Sequence, residues 1–246
     1  MSSVVFQLTM RQLLGRGRTL LMLALSLVPL LLAVIVRLAS PADYDHQDFV
    51  ANAIYSSFVV TLILPLVALV YGTAVLGAEI EDGTAVYVLS KPIPRVQIVL
   101  AKLAASWLAT SVTVGGCALL AALVGIAGAS DDGMLLGFTV GIVLGALAYS
   151  ALFVFLSVLT SRALIAGLAY VFIWEGLING LFDGTRLLSV RHYTLGIADA
   201  FTTVSDRVFE AELSPTTAVV AMALLAGLAT WGAVRRLQRF EIGETT

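Results

Sequence analysis

Six long runs of this sequence carry almost no charge, and they constrain the fold more than any other feature. A helix needs about 20 mostly apolar residues to cross the hydrocarbon core of a bilayer. Five of the runs contain no charged residue, and the remaining one contains only Glu175. The runs are Thr19–Val36, Phe49–Ala78, Leu103–Ser130, Gly133–Ser161, Ala163–Phe182 and Leu213–Val234.

Composition supports a membrane protein, because 59% of the 246 residues are hydrophobic and only 12% are charged. Soluble domains carry about 25% charged residues. The two-residue alternation of a closed barrel is absent, so we predict an all-α membrane protein with six transmembrane helices. We expect one transmembrane domain, 1–246, whose first run is too long for a signal-peptide core and stays uncleaved. The predicted spans are approximately 19–38, 54–78, 100–127, 134–159, 163–182 and 215–236.

The distribution of basic residues predicts the orientation of these spans. Ten Lys and Arg residues fall in the two termini, the loop after span two with Lys102, and the turn after span four. Only four fall in the opposite loops. Cytoplasmic segments carry the excess of Lys and Arg, so we expect both termini in the cytoplasm.

Small residues at four-residue spacing predict where helices pack in the membrane. One set lies in span four and a shorter one in span five. These glycines are Gly137, Gly141 and Gly145, and Gly176 and Gly180. Packing within the bundle and an interface between subunits both remain open.

Several kinds of chemistry lack their residues in this sequence. No GxxxxGK[ST] motif is present, so the chain has no phosphate-binding loop for ATP. A net charge of −2 without a basic run argues against a nucleic-acid partner. The only cysteine is Cys117, and the two histidines, His46 and His192, fall in predicted outer loops. We therefore predict no metal site and no catalytic residues.

Glu175 is the one ionisable residue well inside a predicted span. A charge at the centre of a membrane helix costs about 2.5–3.5 kcal/mol in insertion experiments and usually faces the bundle interior. Three roles remain open: a hydrogen bond that fixes packing, a polar lining of a substrate path, and proton coupling. No second buried carboxylate or histidine is predicted that would complete a proton relay.

The polar segment 77–95, GAEIEDGTAVYVLSKPIPR, interrupts two apolar runs. Gly83 can end a helix, and Asp82 and Thr84 can cap backbone groups. Two prolines then prevent a regular helix from continuing. The pattern predicts a short helix on the cytoplasmic membrane face, shaped to insert into a soluble partner.

The same segment resembles the loop of permease subunits from bacterial ABC-2-type ABC transporters. The matching features are an acidic residue, a Gly-Thr pair, a hydrophobic pair, Ser-x-Pro, a basic residue and a lysine that opens the third helix. Here they are Glu79 or Glu81, Gly83-Thr84, Val88-Leu89, Ser90, Pro92, Arg95 and Lys102. The WEGL sequence at 174–177, the length and the six spans are similar to that family too.

The resemblance implies the fold of a type V exporter with an N-terminal interfacial helix. It also implies a second permease copy or paralogue, contact with membrane lipids, and a separate ATPase subunit that binds ATP and magnesium. Segment 77–95 would be the coupling helix, and the turn at Ser161 and Arg162 a smaller contact. The implied ATPase-docking residues are Glu79, Glu81, Asp82, Gly83, Thr84, Pro92, Arg95, Ser161 and Arg162. The outer loop 183–213 would hold short helices resting on the outer leaflet.

The resemblance thus predicts the permease subunit of an ATP-driven exporter in the bacterial cytoplasmic membrane, with no enzymatic site of its own. A stand-alone channel or secondary carrier would need several buried ionisable residues, and only Glu175 is present. An intramembrane enzyme would need a catalytic constellation. A non-transporting scaffold or sensor with the permease fold stays open.

Overall fold

The computed structural model describes residues 2–15, 17–41, 44–77, 94–127, 131–181, 183–203, 208–209 and 211–238. Within these ranges the chain is helical and contains no strand, as the sequence predicted. The main helices are α1 Ser2–Leu14, α2 Gly17–Ala39, α3 His46–Ala74, α4 Arg95–Gly125, α5 Met134–Leu159, α6 Ala163–Ile178, α7 Val190–Asp199 and α8 Pro215–Gln238. A single 3-10 turn, Asp183–Leu188, precedes α7.

Five of these helices are long and apolar enough to cross a membrane: α2, α3, α4, α5 and α8. The predicted fifth span corresponds to α6, a shorter apolar helix that Asn179–Leu181 continues. The chain then turns and resumes as α7. The apolar run that predicted one continuous span therefore ends in a break, followed by a second short helix.

Helix α5 forms the centre of the bundle and contacts α3, α4, α6, α7 and α8. Its buried aromatic side chains fix its neighbours: Tyr55 of α3 stacks on Phe138 with ring centroids 4.3 Å apart. Phe153 lies 6.3 Å from Tyr170 of α6 in an edge-to-face arrangement. Aromatic pairs of this kind stabilise a core beyond the area they bury.

Helices α2 and α8 lie at the periphery. Each buries only 22% of its most apolar 18-residue window, against 61% for α3, α4 and α5. Large apolar side chains such as Leu31, Leu224 and Leu228 are exposed on these two helices. Exposed leucines are expected on the peripheral helices of a membrane protein, because lipid tails are as apolar as leucine.

The N-terminal helix α1 packs against the first half of α4, with Thr9 and Leu13 buried. Its exposed side chains include Gln7, Arg11 and Gln12 together with the apolar Leu8. The exposed surface of α1 is therefore mixed in polarity.

Candidate functional site

Two regions carry the polar residues singled out by the sequence: the end of the bundle from which segment 77–95 leaves, and a buried cluster around Glu175. Most of the proposed coupling segment lies outside the described residues. The proposed docking residues that lie outside the described ranges are Glu79, Glu81, Asp82, Gly83, Thr84 and Pro92. The structure describes the two ends from which that segment leaves, Gly77 and Pro94–Arg95.

Lys102, about two turns into α4, ties this helix to the end of α3. Its side chain is only 1% exposed, and its Nζ donates a hydrogen bond of 2.5 Å to the carbonyl oxygen of Val75. Val75 caps the C-terminus of α3, where unpaired carbonyl groups and the helix dipole favour a cation. The end of α3, where segment 77–95 begins, is thereby held to α4 by a buried charge as well as by apolar packing.

The end of α3 also lies beside the end of α5. A Cβ added to Gly77 would lie 3.7 Å from the Cβ of Ser157, two residues before α5 ends. The turn that follows α5 contains Ser161 and Arg162, which are both exposed. Arg95 is half-buried at the start of α4. The chain that follows α3 and the turn that follows α5 therefore begin side by side.

Glu175 lies in a part of α6, Tyr170–Ile178, that is wound as a π-helix. Hydrogen bonds in a π-helix join residues five apart, so Tyr170 and Glu175 fall one turn apart on the same face. The Tyr170 hydroxyl donates to Glu175 Oε1 at 2.9 Å. π-helical turns of this kind are frequent at functional sites.

The Glu175 carboxylate is 2% exposed and accepts two further hydrogen bonds from the start of α7. The Ser189 hydroxyl donates to Oε2 at 2.5 Å, and the backbone N–H of Val190 donates to Oε1 at 2.9 Å. Ser189 also caps α7, because its Oγ accepts from the backbone N–H of His192. A carboxylate at a helix N-terminus satisfies orphan N–H groups and complements the dipole. Glu175 thus anchors α7 to α6.

A chain of polar contacts leads outward from this carboxylate. His192, 8% exposed, meets Ser189 Oγ through Nδ1 at 2.9 Å and Glu212 Oε2 through Nε2 at 3.0 Å. Glu212 also receives Arg186 Nε at 2.8 Å and is half-exposed. Sequence analysis placed His192 in an outer loop and expected no buried histidine near Glu175. The structure corrects that expectation, since Ser189 alone separates the two side chains.

The hydrogen-bond donors in this series of contacts can be assigned in turn. The Ser189 hydroxyl has one proton, which it donates to Glu175, so the Nδ1 of His192 must donate to Ser189. The Nε2 of His192 then faces Glu212, where an ionised carboxylate requires a donor. The contact between Nε2 and Oε2 then requires a proton on one of these two atoms.

The glycines of α5 determine how deeply α7 enters the bundle. Cβ atoms added at Gly137 and Gly141 would lie 2.5 and 2.7 Å from the carbonyl oxygens of Ala198 and Thr194. At Gly145 an added Cβ would collide with the Thr194 side chain. The three glycines therefore line the groove that receives α7, and any larger residue would displace it.

Helix α7 runs antiparallel to α5 and starts near Gly145. At 1.5 Å per residue, that level lies about 16 Å from the N-terminal end of α5. The residues of α7 are mostly buried, including Val190, Tyr193 and Ala198. Of the loop 183–213, the structure describes the 3-10 turn and α7, and α7 is inserted into the bundle.

The glycines of α6 have different surroundings. Gly176 is exposed, and the nearest atom to an added Cβ is the Val171 carbonyl oxygen of its own helix, at 3.6 Å. Within the described chain, Gly176 thus lacks the interhelical contact that its spacing predicted. Gly180 lies in the continuation Asn179–Leu181, and its side-chain position is outside the described set.

Comparison with known families shows which family the chain belongs to. A family model described as "ABC-2 family transporter protein" matches residues 16–176, from α2 almost to the end of α6. The chain belongs to the ABC-2 transporter family. The match covers roughly two thirds of the chain and includes Lys102 and Glu175. A search of curated proteins found no match.

Membership in the ABC-2 family agrees with the multi-pass helical architecture. Permeases of this family are membrane subunits that are not catalytic themselves, and they generally pair with ABC ATPase subunits. Among the residues that the structure describes, no group of three His, Cys, Asp or Glu side chains could hold a metal ion.

Sequence reasoning found Glu175 but missed three of the residues around it. Tyr170, Ser189 and His192 come from two elements, and only the tertiary structure brings them to one carboxylate. A serine immediately before a helical segment is an N-cap signal, so Ser189 could have been found as the start of a helix. Its bond to Glu175 has no sequence signal.

Proposed function

We propose that this chain is the membrane-spanning permease subunit of an ATP-driven exporter. It forms the translocation path and couples through segment 77–95 to a separate ATPase subunit, which holds ATP and magnesium. The observation that carries the proposal is the paired cytoplasmic edge: Gly77 lies against Ser157, beside the exposed turn Ser161–Arg162. This edge belongs to a chain of the ABC-2 family.

A rigid base supports the coupling role. An ATPase can move a membrane subunit only if the element it grips transmits displacement to the helices. Lys102 supplies such a link, because its buried ammonium ties α4 to the last carbonyl groups of α3. A buried charge that loses its partner costs several kcal/mol, so the two helix ends should move together.

Two copies of the chain, or one copy and a paralogue, complete the transporter in this proposal. The exposed face of α6 supports it, since Gly176 and its apolar neighbours Phe172 and Ile173 are uncovered in the single chain. A small residue on an exposed transmembrane face permits close approach of a second helix.

The charge distribution supports both termini in the cytoplasm of a bacterium, with the chain in its cytoplasmic membrane. This orientation requires that α6 and α7 together carry the chain across the bilayer. Contacts at the outer end of α5 are consistent with such a crossing: the backbone N–H of Thr203 donates to the carbonyl oxygen of Asp132 at 2.8 Å.

Co-purification of the ATPase subunit tests the proposal. We expect Gly83→Val, or alanine at all three acidic residues of the segment, to leave the protein inserted but poorly bound to the ATPase. A turn that requires positive φ excludes valine, and truncation of a charged contact costs about 2–5 kcal/mol when buried and less at a rim. The acidic residues are Glu79, Glu81 and Asp82.

The matched control is alanine at Glu212, an acidic residue in the outer region of the chain. It should leave ATPase binding unchanged. If the segment variants bind the ATPase and stimulate hydrolysis as the native protein does, segment 77–95 is a connector and the proposal is wrong. A scaffold or a stand-alone channel would then be the better description.

A further inference from the structure

Arg191 is the second residue of α7 and lies deep within the bundle. The contacts of α7 with Gly141 and Gly145 put it near the level of Gly145, about 16 Å from the outer end of α5 and about 21 Å from its inner end. Side chains on a helix lean toward its N-terminus, which for α7 is the deep end. Arg191 therefore leans toward the membrane centre and away from the outer surface.

One donor of Arg191 is left without an acceptor by the described residues. Its Nε is enclosed and lacks a hydrogen bond. The two nearby carboxylates already accept from other donors: Glu175 from α6 and α7, and Glu212 from Arg186 and His192. A charged group at membrane depth is costly and normally faces a polar partner or a water-filled cavity.

The position of Arg191 on α7 indicates what it faces. The residues of α7 that keep partial exposure are Arg191, Leu195 and Asp199, at spacings of four, so they form one stripe along the helix. The other residues, from Val190 to Ala198, are buried against the bundle. The stripe is therefore the least buried surface of α7.

We propose that Arg191 binds an anionic group of the substrate, a phosphate, sulfate or carboxylate, on a water-accessible stripe of α7. This inference rests on the proposed transport function and names the class of substrate. A guanidinium group binds such anions through paired N–H donors, and in a site of low dielectric the interaction is strong. The partly exposed side chain supplies those donors at the depth where a translocation path must pass.

Cysteine reactivity at Leu195, one turn above Arg191, tests accessibility and charge together. Cys117 is first replaced by alanine, which removes the only native thiol. Reaction rates are then measured in the assembled complex with an anionic and a cationic methanethiosulfonate reagent. Leu31→Cys, on the lipid-facing surface of α2, is the control and should not react.

We expect Leu195→Cys to react, with the anionic reagent favoured. Adding Arg191→Gln should lower the ratio of anionic to cationic rates by about tenfold, as removal of a unit charge one turn away implies. The same ratio with and without Arg191 would overturn the proposal. No reaction with either reagent would also overturn it, and a cross-link between Leu195→Cys of two copies would then identify the stripe as a subunit interface.

Protection from labelling tests binding of an anion. Inorganic phosphate, decyl phosphate and neutral decyl maltoside are compared at equal concentrations. Protection by decyl phosphate alone supports an anionic amphiphile, and protection by inorganic phosphate as well supports a free anion. Protection must be lost in Arg191→Gln. No protection in the protein that retains Arg191, or protection that persists in Arg191→Gln, refutes the site.

These measurements also separate this inference from the coupling role. Failure of ATPase co-purification with the native chain refutes the transporter proposal. An intact native complex with unprotected, charge-insensitive labelling refutes only the role of Arg191.

Discussion

Replacing Glu175 tests the link between α6 and α7 most directly. In Glu175→Leu, three donors lose their acceptor: the Tyr170 hydroxyl, the Ser189 hydroxyl and the Val190 N–H. Each buried unpaired donor costs about 1–3 kcal/mol, so the variant should lose at least about 3 kcal/mol of stability. Glu175→Gln keeps one carbonyl acceptor and similar volume while removing the charge, and should be tolerated in folding and assembly.

The assay is thermal unfolding of the purified protein in mild detergent, followed by the midpoint temperature. A loss of about 3 kcal/mol corresponds to a decrease of roughly 6–12 °C for a chain of this size. Ser189→Ala, which removes one of the three donors, is the matched partial variant and should fall between the native protein and Glu175→Leu. A midpoint for Glu175→Leu within 2 °C of the native value, about the smallest shift expected from 1 kcal/mol, would refute the anchoring role.

The same pair of variants distinguishes packing from transport chemistry. The contacts of Glu175 favour a structural role, since each of its hydrogen bonds holds α7 or the π-helical turn in place. If Glu175→Gln assembles normally but no longer transports, the charge itself is functional, and the chain through Ser189 and His192 becomes the candidate for proton movement.

Three further predictions concern packing, the coupling base and topology. Gly141→Leu should prevent α7 from docking and destabilise the protein in the same thermal assay. Gly227→Leu, at an exposed position of α8 with open space around it, should not destabilise it, and equal loss in both variants would contradict the groove. Lys102→Met should weaken ATPase co-purification because a helix-end carbonyl loses its buried donor, and Lys102→Arg should restore part of it; unchanged binding in the methionine variant would refute the link. In a cysteine-free background, Ser90→Cys should be labelled only from the cytoplasm and Ser130→Cys only from outside; the reverse pattern would invert the topology.

Composition and the spacing of apolar residues were sufficient to determine the class of this protein. Uncharged runs of 18 to 30 residues have one low-energy solution in a bilayer, because a helix satisfies its own backbone groups wherever it lies. Because each membrane helix can be recognised from its own sequence, the glycines of span four and the isolated Glu175 stood out without knowledge of their neighbours.

The partners of those positions came only from the tertiary structure. The apolar run 163–182 predicted the extent of the helical segment that contains α6, but it carries no signal for the place of α7, because apolarity specifies burial and not direction. Re-entry of α7 depends on a groove that Gly137, Gly141 and Gly145 leave on α5, together with an acceptor that α6 supplies. Such long-range complementarity cannot be read from one segment, since each side of the contact is compatible with many other neighbours until the helices pack.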